Sequence, residues 1–280
     1  METYFDFINS NILTFILNKI GFREFNTLES IVGLNDVNYL YLTTVRFKDY
    51  MKEITKEFST IGIREYELVL CSLIIKQKLK LVDLTLEKIC SVDEINALDK
   101  GIEEIPNEIG NLRNLQVLDL SVNKIKEMPK EIGTLVGLRY LYLHKNQIKE
   151  IPKEIGNLRS LRLLDLHNNQ IKEISEGIRN LSNLRELSLS DNQIKEIPKE
   201  IENLSNLREL FLGYNQIKEI PKEIGNLSNL RELFLNDNQI IEIPKEIGNL
   251  SEFRLLNLDN NQIKEIPKEV SKLKNLRIFK

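Results

Sequence analysis

Cysteine and histidine are scarce in this chain of 280 residues, with two of each. Cys71 and Cys90 have neither metal-ligand spacing nor a redox motif around them, which fits reduced thiols in a cytoplasmic protein better than a disulfide framework. Lys and Arg total 39 against 42 Asp and Glu, for a net charge of −3. That leaves no basic excess to draw the chain to nucleic acid or to an anionic membrane. The longest apolar runs, such as Leu73-Ile74-Ile75, fall far short of the roughly 20 residues that cross a bilayer, so no membrane insertion is expected. The opening METYFDFINSNILTFILNKIGF places Glu2 and Asp6 where a secretory leader needs positive charge. The P-loop, the dinucleotide glycine loop, HExxH, paired CxxC and GxSxG are all missing, so neither enzymatic activity nor a cofactor is expected. His144 and His167, with Asp165 nearby, supply too few ligands for a dedicated metal site.

What the chain does have is repetition. Asn123, Asn146, Asn169, Asn192, Asn215, Asn238 and Asn261 recur every 23 residues, the period of a solenoid. Leucines precede each of them, as with Leu115, Leu118 and Leu120, or Leu207, Leu210 and Leu212. The shared pattern is LxxLxLxxNxIxxIPxEIGxLxx. Leu-x-Leu is a short period-two strand, and one strand per repeat with a return leg between implies parallel stacking. Counted this way the repeats supply eight strands, a sheet on the order of 35 Å across at the usual strand spacing. An amide set among core leucines must be hydrogen-bonded, so the asparagines are expected to bind the backbone of the turn that leaves each strand.

From about residue 92 to 280 this pattern resembles the leucine-rich repeat family. The Pro-x-Glu-Ile-Gly-x-Leu half is similar to the 23-residue repeats of intracellular Ras-group proteins and polarity scaffolds. The resemblance implies an α/β leucine-rich-repeat solenoid with a curved parallel sheet on its concave face. It also implies protein binding as the style of function, with a small GTPase or another signalling protein among the candidate partners.

Residues 1–78 lack the period and are expected to form a mainly helical N-terminal region that caps the solenoid of residues 79–280. Within the solenoid, a degenerate repeat near 92–114, in which Lys100 replaces the Asn, precedes seven clear repeats at 115–275. A partial strand follows at 276–280. Part of the N-terminal region, NILTFILNKI with the later GLNDVNYLYLTTVRFKDYM, loosely resembles an F-box. Pro129, Pro152, Pro198, Pro221, Pro244 and Pro267 suit the first turn of a return helix, and Ser175, which takes the place of Pro, should give that repeat a different turn. Gly110, Gly133, Gly156, Gly225 and Gly248 share a column with Arg179, Glu202 and Ser271, so close packing rather than positive φ is the expected reason for glycine there. The Asn-Leu-Ser sequons at Asn180, Asn203, Asn226 and Asn249 follow from the period.

Once the repeated columns are set aside, most variation falls on the outward strand positions. One column reads Val117, Tyr140, Leu163, Glu186, Glu209, Glu232, Leu255; the next reads Asp119, Tyr142, Asp165, Ser188, Phe211, Phe234, Asn257. Aromatics facing outward from a sheet are not required by its core. Two patches stand out: Tyr140, Tyr142, His144 and His167 toward the N-terminus, and Arg208, Phe211, Tyr214, Arg231 and Phe234 toward the C-terminus. Aromatic and arginine residues on a rigid surface have the composition of interface anchors. The expected function is therefore a monomeric, non-enzymatic scaffold that binds a protein partner on the concave face. A substrate receptor of a ubiquitin-ligase complex, built on the F-box-like segment, is the alternative, followed by an enzymatic N-terminal region.

Overall fold

The computed structural model describes residues 75, 76, 78–81, 86–89 and 91–280, which belong to the compact unit Ile74–Lys280. The expected helical cap, its F-box-like segment and both cysteines lie largely or wholly outside the described residues. After a short helix, α1 (Leu86–Ile89), each repeat contributes one three-residue strand. These are β1 Glu94–Asn96, β2 Val117–Asp119, β3 Tyr140–Tyr142, β4 Leu163–Asp165, β5 Glu186–Ser188, β6 Glu209–Phe211, β7 Glu232–Phe234, β8 Leu255–Asn257 and β9 Arg277–Phe279. All pair in parallel in chain order, and the central residue of β2 through β8 is buried between two half-buried neighbours. The sheet therefore has nine strands, not eight: Glu94–Asn96 of the degenerate repeat pairs in full register with Val117–Asp119, although its Asn is missing.

The leucines of each strand and the isoleucines of each return leg form one continuous core. Leu115, Leu118, Leu120, Ile125 and Ile132, and their equivalents such as Leu207, Leu210, Leu212, Ile217 and Ile224, are fully buried. No single repeat could enclose these side chains, so stacking supplies the hydrophobic gain.

From Asn107–Asn111 to Lys245–Asn249 the return legs are five-residue 3-10 helices, such as Lys130–Thr134 or Lys222–Asn226; the last repeat instead forms an α-helix, α2 (Lys268–Ser271). Proline stands at the cap just before the helix, not inside its first turn. Pro129 sits at φ −68°, ψ 145°, and its carbonyl accepts from the Ile132 amide at 3.1 Å. Ser175 does not change the turn. At φ −56°, ψ 138° it follows nearly the same path into the 3-10 helix Glu176–Asn180, and its hydroxyl accepts from the Gly177 amide. A polar cap thus substitutes for the preset φ of proline.

The glycine column is explained by close approach. A Cβ on Gly133, Gly156 or Gly225 would run into the backbone carbonyl of Glu154, Gly177 or Glu246 in the next repeat. In the repeat where Arg179 occupies this column, Gly177 takes over, and a Cβ there would strike the Lys153 carbonyl of the repeat before.

The asparagines form the expected ladder. Asn146 Nδ2 reaches the carbonyls of Leu143 and His144 in its own turn and of Leu120 in the preceding repeat, at 3.0–3.3 Å. Its Oδ1 accepts from the Ile125 amide at 3.0 Å. Each Asn thus closes its own turn and pins the previous repeat, with its own buried amide engaged on both atoms.

The residue immediately before each Asn is left-handed: Val122, Lys145, Asn168, Asp191, Tyr214, Asp237 and Asn260 all have φ between 53° and 57°. Glycine occupies none of these positions. The turn has to rotate the following Asn inward, and the repeat tolerates the strain because hydrogen bonds on both sides over-determine it.

Candidate protein-binding surface

The strands set the geometry of the concave face. Because their register is fixed one residue to one, equivalent positions line up as columns running across the sheet. The Glu column pairs Glu186 with Glu209 and Glu209 with Glu232; two residues along, Ser188 pairs with Phe211 and Phe211 with Phe234.

In the C-terminal patch the two phenylalanines meet. The Phe211 and Phe234 rings stack, with centroids 4.9 Å apart and planes 19° from parallel. Both are half-buried rather than freely exposed, since each shields one face of the other. Tyr214 projects furthest, at 55% exposure, from its left-handed turn. The neighbouring Asp237 carboxylate raises its hydroxyl pKa above the ordinary value, and hydrogen bonding between the two adds to this. Asp237 is in turn held below the usual carboxylate range, first by the amide of Asn236 at 2.8 Å and further by Asn260 at 2.8 Å. Arg208 is exposed, whereas Arg231 is half-buried, and its Nε is buried without a hydrogen-bond partner.

The N-terminal patch is more polar. Tyr140 and Tyr142 lie on β3, with Tyr142 in register between Asp119 and Asp165. Burial and then the Glu186 carboxylate push the Tyr142 hydroxyl pKa upward. Just beyond the strands, the rings of His144 and His167 stack at 4.4 Å, 9° from parallel. His167 Nδ1 lies 2.7 Å from Asp165 Oδ1. His144 Nδ1 is buried without a partner, and burial lowers the His144 pKa, with the Asp165 carboxylate acting against this and His167 adding to it. Metal coordination does not suit this pair. Near-parallel rings 4.4 Å apart direct their lone pairs side by side, whereas ligands to one zinc converge on it at about 2.1 Å each. Among the described residues, no three His, Cys, Asp or Glu side chains gather as a metal site.

Two features here escaped the sequence reading. Ser121, fully buried with its hydroxyl unpartnered, stands one repeat before His144 in the column that continues to His167. The carboxyls of Glu186 and Glu209 are both held above the usual range, by burial first and by the next glutamate second; Arg231 and Arg208 offset this only in part at Glu209.

A sheet of short parallel strands in chain order, closed by asparagine-bonded turns and 3-10 return legs, defines a solenoid built for presenting surface. Family models described as leucine-rich repeat region and leucine-rich repeat match residues 130–210 with 221–280, and 100–148 with 182–240, respectively. The first of these spans just over half the chain, which therefore belongs to the leucine-rich repeat family. No curated protein sequence matches it. Similar solved structures include the internalin InlF of Listeria monocytogenes, 31% identical with a TM-score of 0.58 over 66% of this chain and 52% of that one. A leucine-rich-repeat protein of Leptospira interrogans is 39% identical, with a TM-score of 0.55 over 64% of this chain and 51% of its own. The ectodomain of the plant membrane receptor kinase GASSHO1/SCHENGEN3 of Arabidopsis thaliana, solved in complex with CASPARIAN STRIP INTEGRITY FACTOR 2, is 32% identical with a TM-score of 0.64. It shares 69% of this chain but 24% of its own length. The chain thus spans about half the length of the bacterial structures and about a quarter of the plant one. The family and fold make it a protein-interaction module. No helix among the described residues is long and apolar enough to cross a membrane.

Proposed function

We propose that this chain is a non-enzymatic scaffold whose concave face holds a protein partner, with Tyr140, Tyr142, His144 and His167 forming one contact patch and Arg208, Phe211, Tyr214, Arg231 and Phe234 the other. The observation that carries this reading is the Phe211–Phe234 stack. Two large apolar rings sit on the outer side of a sheet whose core is already filled by Leu210, Leu212, Leu233 and Leu235. Aromatic surface that the core does not need is characteristic of interaction sites. The plant receptor ectodomain in complex with a partner factor supports the same use of the fold. An intracellular signalling protein, such as a small GTPase, is the partner class that the repeat type favours, and the cytoplasm is the location that the reduced-thiol composition favours.

Site-specific photo-crosslinking tests the proposal. Crosslinkers placed at Tyr140 and at Phe211 should capture the same partner in host extract, and one at Lys222 on the opposite side should not. Capture through Lys222 with neither concave position reactive would refute the proposed face.

A further inference from the structure

We infer that the C-terminal half of the concave face accepts an extended segment of a partner protein in which basic residues alternate with apolar or aromatic ones. The segment runs across the strands, with its basic side chains over Glu186, Glu209 and Glu232 and its apolar side chains over Phe211 and Phe234. This identifies the occupant of the face proposed above and rests on that proposal.

Charge complementarity with the aromatic surface selects the occupant. On β6 and β7, each glutamate lies two residues before a phenylalanine, so the Glu column and the Phe pair are parallel stripes about 7 Å apart. The phenylalanines stack on each other and leave their outer faces half open. The three glutamates are half-buried and paired in register, which sets successive like-charged residues on strands roughly 5 Å apart. None of the three forms a salt bridge with another described residue. The charges of Arg231 and Arg208 act on Glu209 without forming a salt bridge and offset burial and the Glu232 carboxylate only in part.

A purely apolar occupant would cover the phenylalanines and also strip water from three unpaired carboxylates, which is unfavourable without a compensating charge. An acidic occupant would add repulsion to that loss. A basic one relieves the mutual repulsion already present and gains charge-assisted hydrogen bonds. The spacing suits an extended chain. Its side chains point alternately to two sides and repeat on one side at about 7 Å, so two basic residues fit within the roughly 10 Å between Glu186 and Glu232 while the residue between them faces the Phe stripe. Tyr214, at the edge beyond the Phe pair and 55% exposed, adds an aromatic wall at the far side.

Fluorescence anisotropy with the full chain tests this, using three labelled peptides of equal length that alternate lysine with leucine, lysine with serine, and glutamate with leucine. The lysine–leucine peptide should bind at least about tenfold more tightly than either of the others, and its affinity should fall as salt rises. The triple variant Glu186→Gln, Glu209→Gln, Glu232→Gln should lose about tenfold in affinity for that peptide, and Phe211→Ala with Phe234→Ala should lose at least as much. Both variants are to be checked for an unchanged far-ultraviolet spectrum. Preference for the glutamate–leucine peptide, abolished by the Phe variant, would overturn the basic occupant while leaving the concave face as the site. Binding that neither variant alters would overturn both.

Discussion

Asn192 Nδ2 donates at 3.0 Å to the carbonyl of Leu166, which lies 26 positions earlier in the preceding repeat. The same amide reaches the carbonyls of Leu189 and Ser190 at 3.1 Å, and Oδ1 accepts from the Ile171 amide at 2.9 Å. A residue only 9% exposed therefore holds two successive turns together. Asn192→Ala leaves these buried groups without partners and should lower stability by about 1–3 kcal/mol. Asn206→Ala removes one exposed bond to the Ser182 carbonyl and should lower it by no more than about 1 kcal/mol. Urea midpoints at constant slope measure both, and equal losses would contradict a ladder that acts through burial.

Val122 is the one β-branched residue in the left-handed column, at φ 57°. Asparagine fills the same position comfortably in other repeats, at Asn168 and Asn260. Val122→Asn should raise stability by roughly 0.5–1 kcal/mol by removing a clash that β-branched side chains suffer at positive φ. The effect should appear as a higher melting temperature, and a lower one would show that packing of the valine outweighs its backbone strain.

The His144 pKa is lowered in the folded state by burial, so the unfolded chain takes up this proton first as pH falls. Its contribution to stability is complete above the unfolded value of about 6.5 and is lost on acidification below it. Protonation also places a positive charge against the stacked His167 ring. Unfolding free energies at about pH 7.5 and pH 5.5 should therefore show a decline in the native chain, by less than about 1 kcal/mol for so open a site. His144→Phe keeps the stack and should flatten that decline, so an unchanged slope would exclude His144 as its source.

Glu209 behaves in the opposite sense. Burial and the Glu232 carboxylate raise its pKa, so the folded chain holds the proton more tightly. Stability is greatest below the unfolded value of about 4.3 and declines as pH rises through the folded pKa. Glu209→Gln should accordingly melt higher than the native chain at neutral pH, and the two should converge near pH 4. A variant that melts lower at neutral pH would mean that Arg208 and Arg231 outweigh the repulsion along the column.

Much of the solenoid was legible because its requirements are periodic. Leucine must recur wherever a strand faces the core, and Asn wherever a turn must be bonded, so both announce the repeat at 23-residue spacing. β1 was harder to see, since strand pairing depends on backbone and not on the Asn that Lys100 replaces. The left-handed column was hidden for a related reason. Val122, Lys145, Asp191 and Tyr214 share a backbone conformation but no side-chain chemistry, because neighbouring hydrogen bonds enforce the geometry. On the concave face, period arithmetic placed Phe211 beside Phe234 and His144 beside His167. It could not show that the rings shield one another, nor that the glutamates beside the phenylalanines form no salt bridge with another described residue. Those properties belong to pairs of side chains, not to positions in a repeat.

The asparagine bridges have a direction. Asn192 ties its turn to the Leu166 carbonyl and Ile171 amide behind it, and Asn215 ties the next turn back to the Leu189 carbonyl and Ile194 amide. Each repeat is thus fastened by its successor, as links are in a zip. Loosening an interior asparagine frees the repeat on its N-terminal side before the one on its C-terminal side, so amide exchange in Asn192→Ala should quicken asymmetrically, through Ile171 and its turn more than through Ile194. Mechanical tension along the solenoid would find the same weak joint, and the molecule would part there into two shorter folded stacks.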